Sequence, residues 1–150
     1  AQCLVGSEMC IRDRKCDEIR KKQIAFLSQQ VERINISPKE YLHFGIENYD
    51  IVSERKLCDY FGLTDDSNLD QEDNIVHCSG GEMQKLELIR NFQKSCIVKI
   101  MDEPTNGLDS ETVKRLVWLL EKEKKEHIFI IVSHDKRVLN ICDEKIVIKE

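Results

Sequence analysis

With two prolines, six glycines and 6% aromatic residues in 150, the chain has none of the composition of collagen-like, Pro-rich or low-complexity proteins. No apolar run approaches the roughly 18 residues of a membrane-spanning helix; the longest is Ile128-Phe129-Ile130-Ile131-Val132. No pair of cysteines has C-x2-C spacing, which argues against a zinc module. The seven cysteines are odd in number, irregularly spaced and preceded by no signal-peptide pattern, so they read as reduced thiols rather than a disulfide framework. There is no basic tail, and the net charge of -5 argues against a broad surface for a nucleic-acid backbone. What remains, 41% hydrophobic and 34% charged, is a soluble globular chain with one modest core.

Apolar runs and turn signals divide that chain. Ile24 to Leu27 (IAFL) reads as a buried strand stopped by Ser28-Gln29-Gln30. Two short helices are expected between Ser37 and Gly62, opened by Ser37-Pro38 and by Ser53 and closed near Gly45 and Gly62; the second brings Leu57, Tyr60 and Phe61 to a core. The acidic stretch Thr64 to Asn74 has loop composition. Ser79 and Glu82 have capping-box spacing before a helix with Met83, Leu86, Ile89 and Phe92 on one face. A strand from Ile97 to Met101 runs into Asp102-Glu103-Pro104, where the proline prevents its continuation. Val113, Leu116, Val117 and Leu120 mark a third helix, Ile128 to Val132 a fully buried strand, and Lys145 to Ile148 a last strand. Strands alternating with helices, some continuously apolar, indicate an α/β domain with a mainly parallel sheet.

Four places carry groups suited to phosphate chemistry. Asp102 and Glu103 follow a strand, at the sheet edge where open α/β folds bind ligands; Asp102 is suited to hold Mg²⁺ and Glu103 to deprotonate a water. Ser79-Gly80-Gly81 opens a helix with little side chain in the way, leaving amides and a hydroxyl for an anion. His134 follows the buried strand and Ser133, within range of a terminal phosphate. Gln29, at a strand end, is an uncharged ligand for a metal or a water. Taken alone, each has an ordinary structural explanation.

In order, however, CSGGE at 78–82, IVKIMDEP at 97–104, NGLD at 106–109 and IVSHD at 131–135 resemble the signature, Walker B, D-loop and switch-histidine segments of ATP-binding cassette (ABC) ATPases. The resemblance runs from about Cys16 to Glu150 and implies a P-loop NTPase-like cassette with a mainly parallel sheet and a helical subdomain at about 37–95. Residues 1–15 are unassigned, and the first fourteen resemble a translated adapter or assembly junction. By the resemblance, Gln29 senses Mg²⁺ and the attacking water, while Ser79, Gly80, Gly81 and Glu82 meet the ATP held by a second cassette. Asp102 supports Mg²⁺, Glu103 is the general base, Asp109 works across the dimer interface, and His134 holds the γ-phosphate. The implied partners are a second cassette, head to tail, and the transmembrane domains of a transporter; the implied place is the cytoplasmic face of a membrane.

Three departures accompany the match. Cys78 and Glu82 stand where Leu and Gln are usual, and Lys99 sits inside a strand that should be buried. The chain contains no G-x-x-x-x-G-K-[ST] phosphate loop, so the polypeptide alone is expected to bind ATP weakly or not at all. In the family the Walker B strand is expected beside the strand that feeds this loop, which would leave it with an unpaired edge. Two other readings stay open: a soluble tandem cassette that acts on ribosomes, and a truncated, inactive product. Gly107 and the acidic charge favour the transporter. His43, His77 and His127 fit no motif and are assigned to surface or structure, and Trp118 to helix packing.

Overall fold

The computed structural model describes residues 23–29, 34–46, 49–63 and 74–147. Three parallel strands form the sheet, β1 (Ile24–Leu27), β2 (Val98–Asp102) and β3 (Ile128–Val132), in that spatial order. Leu27 lies beside Met101 and Met101 beside Ile131, while Ala25 and Phe129 flank Lys99. The Walker B-like strand is therefore central. The expectation that it has an unpaired edge is corrected: β1 and β3 pair it on both sides, and the outer edges of the described sheet belong to them.

Because side chains alternate along a strand, this register sorts the sheet into two faces. Ala25, Leu27, Lys99 and Met101 are buried on the face that the helices cover. The opposite face carries Phe26, Ile128, Ile130 and Val132, each more than half exposed. The reading of Ile128–Val132 as a strand buried on both faces thus fails among the described residues, because the described helices pack on only one of them. Residues 145–147 form no strand either, with Ile146 and Val147 largely exposed; Ile148 lies outside the described residues, as do residues 64–73 of the acidic loop and residues 1–22.

Five α-helices, α1 (Pro38–His43), α2 (Ile51–Phe61), α3 (Gly80–Gln93), α4 (Ser110–Glu123) and α5 (Lys136–Leu139), and one short 3-10 helix (Ile75–His77) complete the described elements. Ser37 and Glu40 form a full capping box on α1, with Pro38 at its first turn, where a missing N–H costs nothing. The start of α2 differs from expectation. Asp50, not Ser53, is its N-cap, accepting from the amides of Val52 and Ser53 and from the Ser53 hydroxyl; the two residue types cap about equally well, and Asp50 is the one that stands at the helix start. Gly62 ends the helix at φ 72°, a conformation that favours glycine.

One core joins the sheet to all of the longer helices. Leu27 and Met101 meet Leu42, Phe61, Leu86, Ile89, Leu116 and Leu120, with Phe129 and Ile131 packed against them. Each such side chain contributes about 1.5–3 kcal/mol when fully removed from water. Polar ties fix α1 on α3: Tyr41 donates to Glu87, whose carboxylate also accepts from Arg90 at 3.0 Å, and Arg90 reaches the Phe44 carbonyl at 2.9 Å. Burial pushes the Glu87 carboxyl up, against the pull of Arg90. Trp118 of α4 is 55% exposed and packs on Tyr60 of α2, with ring centroids 5.9 Å apart, so it serves helix packing from the surface, with Lys122 over its ring.

Lys99 does not reach for solvent. It is fully buried on the helix-covered face, and its ammonium donates to the carbonyls of Asn91 at 2.6 Å and Lys94 at 2.9 Å. Both carbonyls lie at the end of α3, where the helix dipole favours a cation; the Asn91 carbonyl has no helical amide left to pair it, and the Lys94 carbonyl also accepts from the Cys96 amide at 3.0 Å. A residue that looked misplaced in a strand is the C-terminal clamp of the neighbouring helix.

Candidate functional site at the carboxyl edge of the sheet

Parallel strands bring their carboxyl ends to one edge, and the candidate residues follow those ends. Gln29 stands two residues beyond β1, exposed; Asp102 ends β2 opposite Val132; Glu103 comes next; His134 stands two residues beyond β3. Glu103 and His134 are in direct contact, with Nδ1 2.8 Å from Oε1. The Glu103 hydrogen bond, followed by its charge, raises the pKa of His134 above the ordinary imidazole value. Glu103 is mostly buried and His134 mostly exposed, so the pair spans the boundary between protein and solvent.

The backbone of Glu103 is unusual. Its φ is 47°, in the left-handed region that a side chain with a Cβ rarely adopts, and it is the only non-glycine there among the described residues. Its N–H donates to the Val132 carbonyl at 2.8 Å, and its carbonyl accepts from Asn106 at 3.1 Å. The second carboxylate oxygen, Oε2, is buried with no partner. An unpaired acceptor held in this way suits a water or the outer shell of a cation. Asp102 and Gln29 supply the oxygen donors that Mg²⁺ prefers. The residues present fit Mg²⁺, although no cluster of three or more acidic, His or Cys ligands occurs among the described residues.

The helix end expected to receive phosphate is built as its spacing implies. Ser79 is the N-cap of α3, its hydroxyl accepting from the Glu82 amide at 3.3 Å, while the Glu82 carboxylate accepts from the Ser79 amide at 2.8 Å. Glu82 is therefore engaged in the cap. The amides of Gly80 and Gly81, in the first turn, have no carbonyl to pair with inside the helix. This end presses on the loop after β2: a Cβ on Gly81 would lie 2.7 Å from the Gly107 carbonyl oxygen, and Gly107 itself has φ 73°.

Asp109, expected to act across a dimer interface, caps α4. It accepts from the amides of Glu111 and Thr112 and from the Thr112 hydroxyl at 2.5 Å. The Thr112 hydroxyl, followed by its amide, holds the Asp109 carboxyl down to about 2. The sequence reading missed Thr112, although Asp-x-x-Thr before an apolar helix is a legible cap. It also missed Gln84, whose buried amide donates to the Pro104 carbonyl at 3.1 Å; no spacing rule points to that contact. Gln29 is joined to none of Asp102, Glu103 and His134 by a hydrogen bond, and shares only their edge of the sheet.

A parallel sheet with acid, amide and imidazole groups at its carboxyl edge, and a glycine-started helix beside them, forms the kind of crevice in which open α/β folds bind ligands. No family model matches the chain. An ABC transporter ATP-binding protein of Mycoplasma genitalium is 28% identical over 140 residues, which are 90% of this chain and 30% of that protein. An ATP-dependent lipid A-core flippase of Cupriavidus metallidurans is 27% identical, over 87% of this chain and 24% of the flippase. The chain thus spans about a quarter to a third of these relatives. Among solved structures, a dimeric ATP-binding cassette bound to ADP and Pi superposes with a TM-score of 0.67 at 23% identity, covering 86% of this chain and 60% of that one. A bacterial ABC exporter with ATP bound gives 0.69 at 17% identity, covering 83% and 23%. The fold is that of an ABC cassette. No described helix is long and apolar enough to cross a membrane.

Proposed function

We propose that this chain contributes to ATP binding and hydrolysis as part of the nucleotide-binding component of an ABC transporter, with ATP and Mg²⁺ as its ligands. The contact between Glu103 and His134 at the carboxyl edge carries the reading, because it places a carboxylate with an unpaired oxygen beside an imidazole able to meet a phosphate. Glu103 takes the proton of the attacking water through Oε2. His134, which donates to Glu103 when protonated at Nδ1, has its other ring nitrogen for a phosphate oxygen. Asp102 and Gln29 would hold Mg²⁺, which when bound neutralises phosphate charge. Ser79, Gly80 and Gly81 offer amides and a hydroxyl to the phosphate of an ATP held by a second cassette, and Asp109 orders the loop that faces it. Transmembrane domains are the further partners, and they place the protein at the cytoplasmic face of a membrane. The curated relatives support transport over ribosome binding, since their names are those of transporter ATPases.

The test is phosphate release from Mg-ATP by the protein expressed from its complete reading frame. Glu103→Gln is expected to lower the rate about 100-fold or more while ATP still binds, the usual size of a general-base loss. A rate unchanged by Glu103→Gln and His134→Ala overturns the proposal.

A further inference from the structure

We propose that Gln84 is a positioning residue for Glu103, holding the strained Glu103-Pro104 segment from α3 so that the helix which opens with Ser79-Gly80-Gly81 also sets the carboxylate. A left-handed Glu103 has to be held in place by its surroundings. On one side it is held by its own amide, which donates to Val132 of β3 at 2.8 Å. On the other, the following turn closes through Asn106 onto the Glu103 carbonyl and through Leu108 onto the Thr105 carbonyl. Pro104 supplies no N–H to this turn, and its carbonyl accepts in neither bond. Gln84, 6% exposed, fills that gap at 3.1 Å. The same helix meets the same loop once more, where Gly81 has no room for a Cβ against the Gly107 carbonyl. Two contacts one helical turn apart thus fix α3 to the residues on either side of Thr105 and Asn106. The loop that bears Glu103 is pinned to β3 at its start and to α3 through its length.

The inference rests on the proposed role of Glu103, but the geometry is testable without it. Gln84→Met keeps the size of the side chain and removes the donor. In the 150-residue chain, hydrogen exchange at the amides of Asn106 and Leu108 is expected to quicken about tenfold, the effect of one lost hydrogen bond of ordinary strength. The three-bond coupling of Glu103, which reports its φ, should change with it, while exchange at Leu116 and Leu120 stays as it was. If Gln84→Met does not fold, Gln84→Leu removes the same donor and carries the same expectation. Unchanged exchange in the loop, or an equal rise throughout the chain, overturns the proposal. In the protein expressed from its complete reading frame, the variant should lower kcat for ATP with KM unchanged; KM rising with kcat unchanged also overturns it. If the unaltered protein hydrolyses no ATP, the reading of Glu103 as a base fails, and the exchange and coupling data still decide whether Gln84 positions it.

Discussion

Glu103 and His134 face each other across the carboxyl ends of two adjacent strands, Nδ1 to Oε1 at 2.8 Å, with 30 residues of helix and strand between them in the chain. The register that sets Asp102 beside Val132 brings them together, since each follows its strand end by one or two residues.

Removing the carboxylate charge should release the imidazole. In Glu103→Gln the pKa of His134 is expected to fall back toward 6.5, because the hydrogen bond to a carboxylate and its charge are what raise it. A raised histidine stabilises the fold fully below its unfolded value, and that contribution disappears as pH rises through the folded value. The stability gap between the parent and the variant should therefore close above neutral pH. An NMR titration of the imidazole, with thermal unfolding at several pH values, checks both statements; a His134 pKa that is the same in the two proteins refutes the first.

Lys99 gives a prediction about stability alone. Lys99→Met fills a similar volume but leaves the Asn91 carbonyl without its donor, while the Lys94 carbonyl keeps the Cys96 amide; the cost of one orphaned acceptor, about 1–3 kcal/mol, outweighs the relief of burying no charge. Lys99→Ala should cost more, since it adds a cavity. Urea unfolding measures both. A Met variant as stable as the parent would mean that the ammonium's burial cancels its hydrogen bonds.

The limits of the sequence reading are seen in Lys99 as well. A lysine in an apolar strand conflicts with strand burial, and its resolution depends on a helix end that only the fold brings near. Strand and helix limits were legible where apolar runs meet a cap: β1 and β3 have the expected ends, and the capping box of α3 sits on Ser79 and Glu82. Asp50 was passed over for Ser53 because both are N-cap residues and only their relative geometry separates them. The positions of Glu103 and His134 followed from strand ends, whereas their contact depends on register. Gln84 is a polar residue on a helix whose neighbours Met83 and Leu86 announce burial, and nothing local assigns it a carbonyl twenty residues away. The two-sided burial expected of β3 depends on what covers the second face, which a strand's own residues do not state.

Adjacent glycines should respond to alanine with opposite signs. Both begin α3, where alanine is ordinarily preferred to glycine by up to about 1 kcal/mol. A Cβ on Gly80 meets nothing within 4 Å, so Gly80→Ala is expected to be neutral or stabilising. On Gly81 it meets the Gly107 carbonyl oxygen at 2.7 Å, a backbone atom that must move, so Gly81→Ala should lose about 1–3 kcal/mol. Thermal unfolding of the two variants side by side decides it; equal shifts would show that the approach of α3 to the loop is not tight.

Asp109 makes the last case, one in which a residue proposed to face a second cassette is a cap. Its carboxyl titrates at about 2 rather than 3.8 because it accepts from the Thr112 hydroxyl and from the amides of Thr112 and Glu111. A carboxylate lowered in this way contributes stability that is complete above its unfolded value and is lost as pH falls through the folded one. Asp109→Ala should therefore lower Tm at neutral pH, with a difference from the parent that shrinks between about pH 4 and pH 2. Asp109→Asn keeps an oxygen for the amides and should recover much of the neutral-pH loss, with no such acid dependence of its own. If Asp109→Ala leaves Tm unchanged at pH 7, the carboxylate is not spent on α4, and its hydrogen bonds to Thr112 do not describe how the loop is ordered.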